Sequence, residues 1–141
     1  MIDMRGTHEG GCHCGAVRFR LTLPDGFDDI ERCNCSLCLM KGIVMMGVPL
    51  QAFELTRGED LLTLYQFNTG EAKHWFCSRC GIYTHHQRRS DPNQYAVNAA
   101  CIDGLSPLDF PETNVIDGVH HPNDNDGKWR IAGVMRYEPA S

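Results

Sequence analysis

The placement of the cysteines constrains this chain more than any other feature. Of eight cysteines, all but one lie in three short motifs. Cys12-His13-Cys14 forms a CxC, Cys33-Asn34-Cys35-Ser36-Leu37-Cys38 a CxCxxC, and Cys77-Ser78-Arg79-Cys80 a CxxC, with Cys101 alone. Thiols in such groups point to metal ligation, disulfides or redox chemistry. Residues Met1 to His8 carry no apolar signal core, and no apolar run approaches the ~20 residues a membrane helix requires. The chain is therefore expected in the cytoplasm, where thiols stay reduced and clustered cysteines hold metal more often than they form disulfides. Zinc suits these ligands. Iron–sulfur clusters use the same ligand type, and spacing alone does not separate the two.

A structural zinc site takes four ligands in a tetrahedron, and a catalytic one keeps a position open. The CxxC at Cys77 and Cys80 is a knuckle that supplies two ligands, with Gly81 suited to the positive φ of such a turn. Cys12 and Cys14 would supply two more if the chain bends there, because extended backbone would send the two side chains to opposite faces. Gly10, Gly11 and Gly15 give that freedom. Cys33, Cys35 and Cys38 place three thiols within one short segment and can hold a metal without distant help. The expected partition is thus a closed site of Cys12, Cys14, Cys77 and Cys80, and an open site of Cys33, Cys35 and Cys38. A zinc ribbon joining Cys35 and Cys38 to Cys77 and Cys80 is the competing arrangement, and it strands Cys12 and Cys14. Cys101, in an apolar run, reads as an inert core thiol.

The rest of the sequence describes the scaffold. With 141 residues, 42% hydrophobic and 22% charged, the chain is expected to form one globular domain over residues 1–141. A net charge of −5 argues against nonspecific binding to nucleic acid or membrane. Val17, Phe19, Leu21 and Leu23 alternate with Arg18, Arg20 and Thr22, a half-buried strand that Pro24-Asp25-Gly26 ends. Further strands are expected at Ile43–Val48, Leu61–Phe67, Lys73–Phe76, Ile82–His86, Tyr95–Cys101 and Ala132–Tyr137, with a turn at Asn68-Thr69-Gly70. No helical stripe exceeds two turns. Asp103–Asn125, rich in Pro, Gly, Asp and Asn, reads as a long surface loop. The fold class is mainly β, with the cysteine motifs on turns.

Three thiolates on Zn²⁺ leave a formal charge of −1. Such a metal is a poor generator of hydroxide and a good site for a fourth sulfur, since a bound thiol is deprotonated. The open site therefore suggests a small thiol as substrate, whose thiolate adds to an electrophilic carbon such as that of an aldehyde. His120 or His121 could be a fourth ligand or a proton carrier; the alternative is a solvated loop. His13, between two cysteines, is expected to point away from them. His74 reads as a surface strand residue, and one of His85 and His86 should be exposed. Lys41, Lys73 and Arg79 stand near the motifs and could offset thiolate charge or bind a carboxylate, or be solvated. Trp75 and Phe76 are expected against the closed site, and Trp129 in the core.

The three motifs in this order, GGCHCGAVRF, CNCSLC and FCSRCG, resemble the glutathione-dependent formaldehyde-activating enzyme family, which shares a domain with the centromere protein V group. The resemblance runs from about Gly10 to about Tyr83. It implies an Mss4-like fold, a tent of antiparallel sheets. It implies two zinc ions: a structural one on Cys12, Cys14, Cys77 and Cys80 and a catalytic one on Cys33, Cys35 and Cys38. It also implies glutathione and formaldehyde as partners, in a reaction formally of the carbon–sulfur lyase type. Members often carry a basic residue directly after the CxCxxC; here Leu39 and Met40 precede Lys41. Two other readings stand beside the enzyme: a zinc-stabilised binding module, and a redox or zinc sensor using Cys33, Cys35 and Cys38.

Overall fold

The structure, a computed structural model, describes residues 2–141. Two sheets dominate it. The smaller has three strands, β1 (Gly6–Gly11), β2 (Arg18–Leu23) and β5 (Phe53–Arg57), in the order β1-β2-β5. The larger comprises β3 (Asp29–Cys33), β4 (Met45–Pro49), β6 (Leu62–Tyr65), β7 (Lys73–Cys77), β8 (Tyr83–Gln87), β9 (Gln94–Asn98), β10 (Glu112–Ile116) and β11 (Ile131–Arg136). Its order is β11-β10-β3-β4-β9-β8-β7-β6. Every pairing is antiparallel except that of β10 with β3. The one α-helix among the described residues, α1 (Ser36–Lys41), follows β3 directly. It stops at Gly42, whose φ of 61° is the left-handed conformation that closes a helix.

The period-two pattern of β2 is realised as read. Phe19, Leu21 and Leu23 are buried and Arg20 and Thr22 exposed. Each buried side chain stabilises the fold by roughly 2 kcal/mol. They pack on Met46 and Val48 of β4 and Val97 of β9, with Cys101 and Ile102 beyond, so both sheets share one core. Gly10 lies so close to Phe19 and the Cys101 carbonyl that a Cβ there would collide with both.

Several expectations need correction. Asp103–Asn125 is not all loop, because β10 runs through it. Its residues alternate weakly, and the strand is specified by its neighbours, β3 on one side and β11 on the other. The strands β1, β3 and β5 were not foreseen. Neither His85 nor His86 is exposed, and His74 is buried too. β8 lies between β7 and β9 with both faces covered, so alternation along it carries no polarity. Trp129 is half-exposed rather than core. No helix of the described residues is long and apolar enough to cross a membrane.

Candidate metal centres

The first thiol group forms where two hairpin turns meet. Cys12 and Cys14 lie in the turn joining β1 to β2, which pair from Gly6↔Leu23 to Gly11↔Arg18. The turn is tightened by Gly15 N–H donating to the Cys12 carbonyl at 3.1 Å and by Gly15 at φ 79°. The chain thus bends as sharing a metal requires, and His13 between the two is exposed. Cys77 and Cys80 lie in the turn joining β7 to β8. Gly81 N–H donates to the Cys77 carbonyl at 2.8 Å, and Gly81 has φ 75°. Backbone N–H groups reach the sulfurs, Val17 to Cys12 Sγ at 3.3 Å and Arg79 to Cys77 Sγ at 3.4 Å. Around them pack Val17, Leu55, Leu61 and Leu62. Trp75 instead stacks on His85 at 4.8 Å, away from this group.

All four sulfurs lie within 4.8 Å of one another. Cys12 Sγ is 3.6 Å from Cys14 Sγ, and Cys14 Sγ is 3.8 Å from Cys77 Sγ. A tetrahedron with zinc–sulfur bonds of ~2.3 Å has edges of ~3.8 Å, so the donors fit zinc. Their acidities fit a cation as well. N–H groups and neighbouring thiols outweigh desolvation and bring Cys80 down to about 6. The other thiols outweigh the Ala16 N–H and hold Cys14 up at about 11. Sulfurs this close cannot all ionise without a positive ion among them.

The second group is local, as its spacing requires. Cys33 ends β3, Cys35 caps α1 and Cys38 lies within it. The three sulfurs fall within 4.8 Å of one another. Hydrogen bonds from the Cys33 and Cys38 thiols hold Cys35 down to about 2. Cys35 in turn drives Cys33 up to about 11, and Cys33, with Cys35, drives Cys38 further still. Among the described residues no fourth Cys, His, Asp or Glu donor joins this group. The grouping differs from the competing zinc-ribbon arrangement: Cys35 and Cys38 lie with Cys33, and Cys77 and Cys80 with Cys12 and Cys14.

One residue of this centre carries no sequence signal. A Cβ at Gly118 would collide with Cys33 Sγ and lie 3.0 Å from Cys35 Cβ, so the chain crosses directly over the sulfurs there. Asn34, the middle residue of the CxC, holds this crossing in place. Its Oδ1 accepts from Val119 N–H at 3.1 Å, its Nδ2 donates to Asp117 Oδ1 at 3.3 Å, and its own N–H donates to the Ile116 carbonyl at 3.2 Å.

The three thiols line a cavity of about 410 Å³. Met45, Phe67, Ile116, Val119 and Trp129 supply its apolar walls; Arg88, Arg89, His74, His86 and His121 supply polar ones. His121 stands against Trp129, ring centroids 5.0 Å apart, and its Nδ1 accepts from Asn123 N–H at 3.0 Å. His120 instead turns outward to Asp117, 2.8 Å away. Lys41 meets a ring and a histidine instead. Its Nζ lies 3.3 Å from the centroid of the Tyr83 ring and 3.3 Å from His74 Nδ1. Burial brings the Lys41 ammonium down to about 8. Lys73 and Arg79 are exposed. Cys101 is a buried core thiol, raised to about 12 by burial.

These features define a mainly β protein with two thiol groups able to hold metal, one held between two turns and one lining a cavity. The chain belongs to the glutathione-dependent formaldehyde-activating enzyme family, whose model matches residues 7–115. A protein of Halomonas elongata, provisionally described as a glutathione-dependent formaldehyde-activating enzyme, is 36% identical over 80 residues, 51% of this chain. The match spans 50% of that protein, so the chain covers about half the length of its curated relative. A crystal structure of a Rhodobacter sphaeroides protein is 50% identical, with a TM-score of 0.72, covering 76% of this chain and 98% of the other.

Proposed function

We propose that this chain is a zinc enzyme of the carbon–sulfur lyase type, joining a small thiol of the glutathione class to formaldehyde or another aldehyde and releasing it again. Cys33, Cys35 and Cys38 hold the catalytic ion; Cys12, Cys14, Cys77 and Cys80 hold a structural one. Residues 1–141 act as one domain, a reading the shared core supports. The observation that carries the proposal is the group of three thiols lining a cavity, with no fourth protein donor grouped with it among the described residues.

Zinc bound there supplies an open position that lowers the pKa of an incoming thiol and holds its thiolate at neutral pH. In the reaction the S–H bond breaks, sulfur bonds to the carbonyl carbon, and the carbonyl π pair becomes an alkoxide that takes up the proton. Thiol and aldehyde thus give a hemithioacetal with nothing oxidised. The chain's residues place the reactants. Gly118 lets the chain cross above the sulfurs with no side chain against them, and Asn34 fixes that crossing. Because His121 Nδ1 accepts from Asn123, the neutral ring carries its proton on Nε2. His121 lines the cavity, so that proton is available to polarise the carbonyl oxygen.

Metal analysis of the wild type should give two zinc ions per chain, and Cys35→Ser should give one. Exchange NMR with ¹³C-formaldehyde and glutathione should show faster adduct exchange with the wild type and none with Cys35→Ser. A wild type with one zinc ion and no effect on exchange would refute the proposal.

A further inference from the structure

The strands β7 and β8 turn one face to the thiol cavity and the other to a second cavity, of about 450 Å³. Alternation along them divides their side chains: His74 and His86 line the first cavity, Trp75 and His85 the second. The two cavities share no lining residue. Phe53 of β5 and Tyr95 of β9 complete the aromatic wall of the second, and Glu59 supplies a carboxylate.

The rings form a corner around one buried imidazole. Trp75 lies parallel to His85, with centroids 4.8 Å and planes 16° apart, and Phe53 lies 4.3 Å from His85 at 31°. Tyr95 stands across this row, at 89° to His85 and 81° to Trp75. A cation is drawn to the negative faces of such rings.

His85 is only 2% exposed, yet one of its nitrogens is unused. Its Nδ1 lies 2.8 Å from Thr84 Oγ1, and that hydroxyl reaches the Trp75 carbonyl at 3.5 Å. A carbonyl only accepts, so the hydroxyl donates there and accepts from Nδ1–H. Nε2 is then a bare acceptor without a partner among the described residues. It is not sealed in the interior, where the unpaired side-chain atoms are Arg32 Nε and Arg88 Nε. An acceptor opening on a cavity calls for a donor. Burial brings His85 down to about 3, so the neutral ring does not repel a positive charge.

The charges agree. Glu59 joins no ion pair among the described residues, and no Lys or Arg lines the cavity. An alkylammonium uses every feature of this wall: its charge meets the rings and the carboxylate, and its N–H meets Nε2. We infer that the cavity binds a small primary alkylammonium, held by Phe53, Trp75 and Tyr95, by His85 Nε2 and by Glu59. The inference stands apart from the thiol chemistry proposed above.

The test is a titration of the zinc-loaded full chain with n-butylammonium at neutral pH, followed by the indole N–H resonances of Trp75 and Trp129 in ¹H–¹⁵N NMR spectra, with Trp129→Phe to assign them. The Trp75 resonance should move along a saturating curve, and that of Trp129, in the other cavity, should stay. 1-Butanol, of the same size without the charge, should bind at least about tenfold more weakly. Tetramethylammonium, charged but without an N–H, should also bind more weakly. Glu59→Gln should weaken n-butylammonium binding about fivefold, with the thermal midpoint unchanged because Glu59 is exposed. No saturable shift of Trp75, or 1-butanol binding as tightly as n-butylammonium, would overturn the inference. Tetramethylammonium binding as tightly would overturn the role of Nε2, and unchanged affinity in Glu59→Gln would overturn that of the carboxylate.

Discussion

Substituting Gly118 by alanine tests whether the open thiol group works as a metal centre at all. The added methyl falls well inside contact distance of Cys33 Sγ and 3.0 Å from Cys35 Cβ. The crossing chain cannot simply retreat, because Asn34 holds it from both sides, at Asp117 and at Val119. Either Cys33 rotates its sulfur away or the 117–119 backbone lifts and breaks the Asn34 hydrogen bonds. Overpacking of this kind costs ~2 kcal/mol, which in a chain of this length lowers Tm by roughly 5–10 °C. The larger effect falls on the metal. A zinc–sulfur bond of ~2.3 Å does not survive a sulfur displacement of ~1 Å, so the open centre should release its ion while the closed one keeps its own. Metal analysis should give one zinc ion per chain, with adduct exchange lost as in Cys35→Ser. If Gly118→Ala kept two zinc ions and wild-type exchange rates, Cys33 would not be a ligand in the geometry described, and the functional assignment would fall with it.

Other consequences can be measured with the same protein. Cys77→Ser should destabilise the whole fold, because fully buried Cys77 ties two hairpins together, whereas Cys35→Ser should mainly remove activity; equal falls in thermal midpoint would contradict this. Asn34→Ala should leave both zinc ions bound but slow adduct exchange about tenfold by loosening the 117–119 crossing, and unchanged exchange would show that Asn34 positions nothing. Burial brings His85 down to about 3. The unfolded chain, titrating near 6.5, therefore binds the extra proton first as pH falls, and stability drops below pH 6.5. By pH 5 the loss is ~2 kcal/mol. The urea midpoint of His85→Phe should fall less between pH 7.5 and 5 than that of the wild type, and equal falls would refute the linkage.

The two thiol groups were legible because metal ligation imposes short spacings that other chemistry seldom imitates. Strands with one wet face were legible as well: β2 shows its alternation along its whole length. What stayed hidden depends on distant neighbours. β10 takes its conformation from β3 and β11, and its Glu112-Thr113-Asn114 opening looks like the loop on either side of it. His85 and His86 do not follow the expected alternation because alternation reports a wet face, and β8 has none; His74, on β7, is covered by Phe67 and His86. Gly118 had no signal, since a glycine that passes over a sulfur looks in sequence like one in any turn. Trp129 looked like core because its size is the same whether it packs inward or walls a cavity.

The meeting of two hairpin turns at the closed group also has a consequence for how the protein is made. Cys14 and Cys77, whose sulfurs nearly touch, stand 63 positions apart in the chain. Closing a loop of that length costs the unfolded chain about 4 kcal/mol of entropy, which zinc would have to offset. The triad asks for nothing comparable, since all three of its thiols emerge from the ribosome together. A growing chain would thus possess a complete zinc trap at Cys38, long before Cys77 and Cys80 exist to lock the sheets together. Under the proposed assignment, this topology favours loading the open group first and the closed group last.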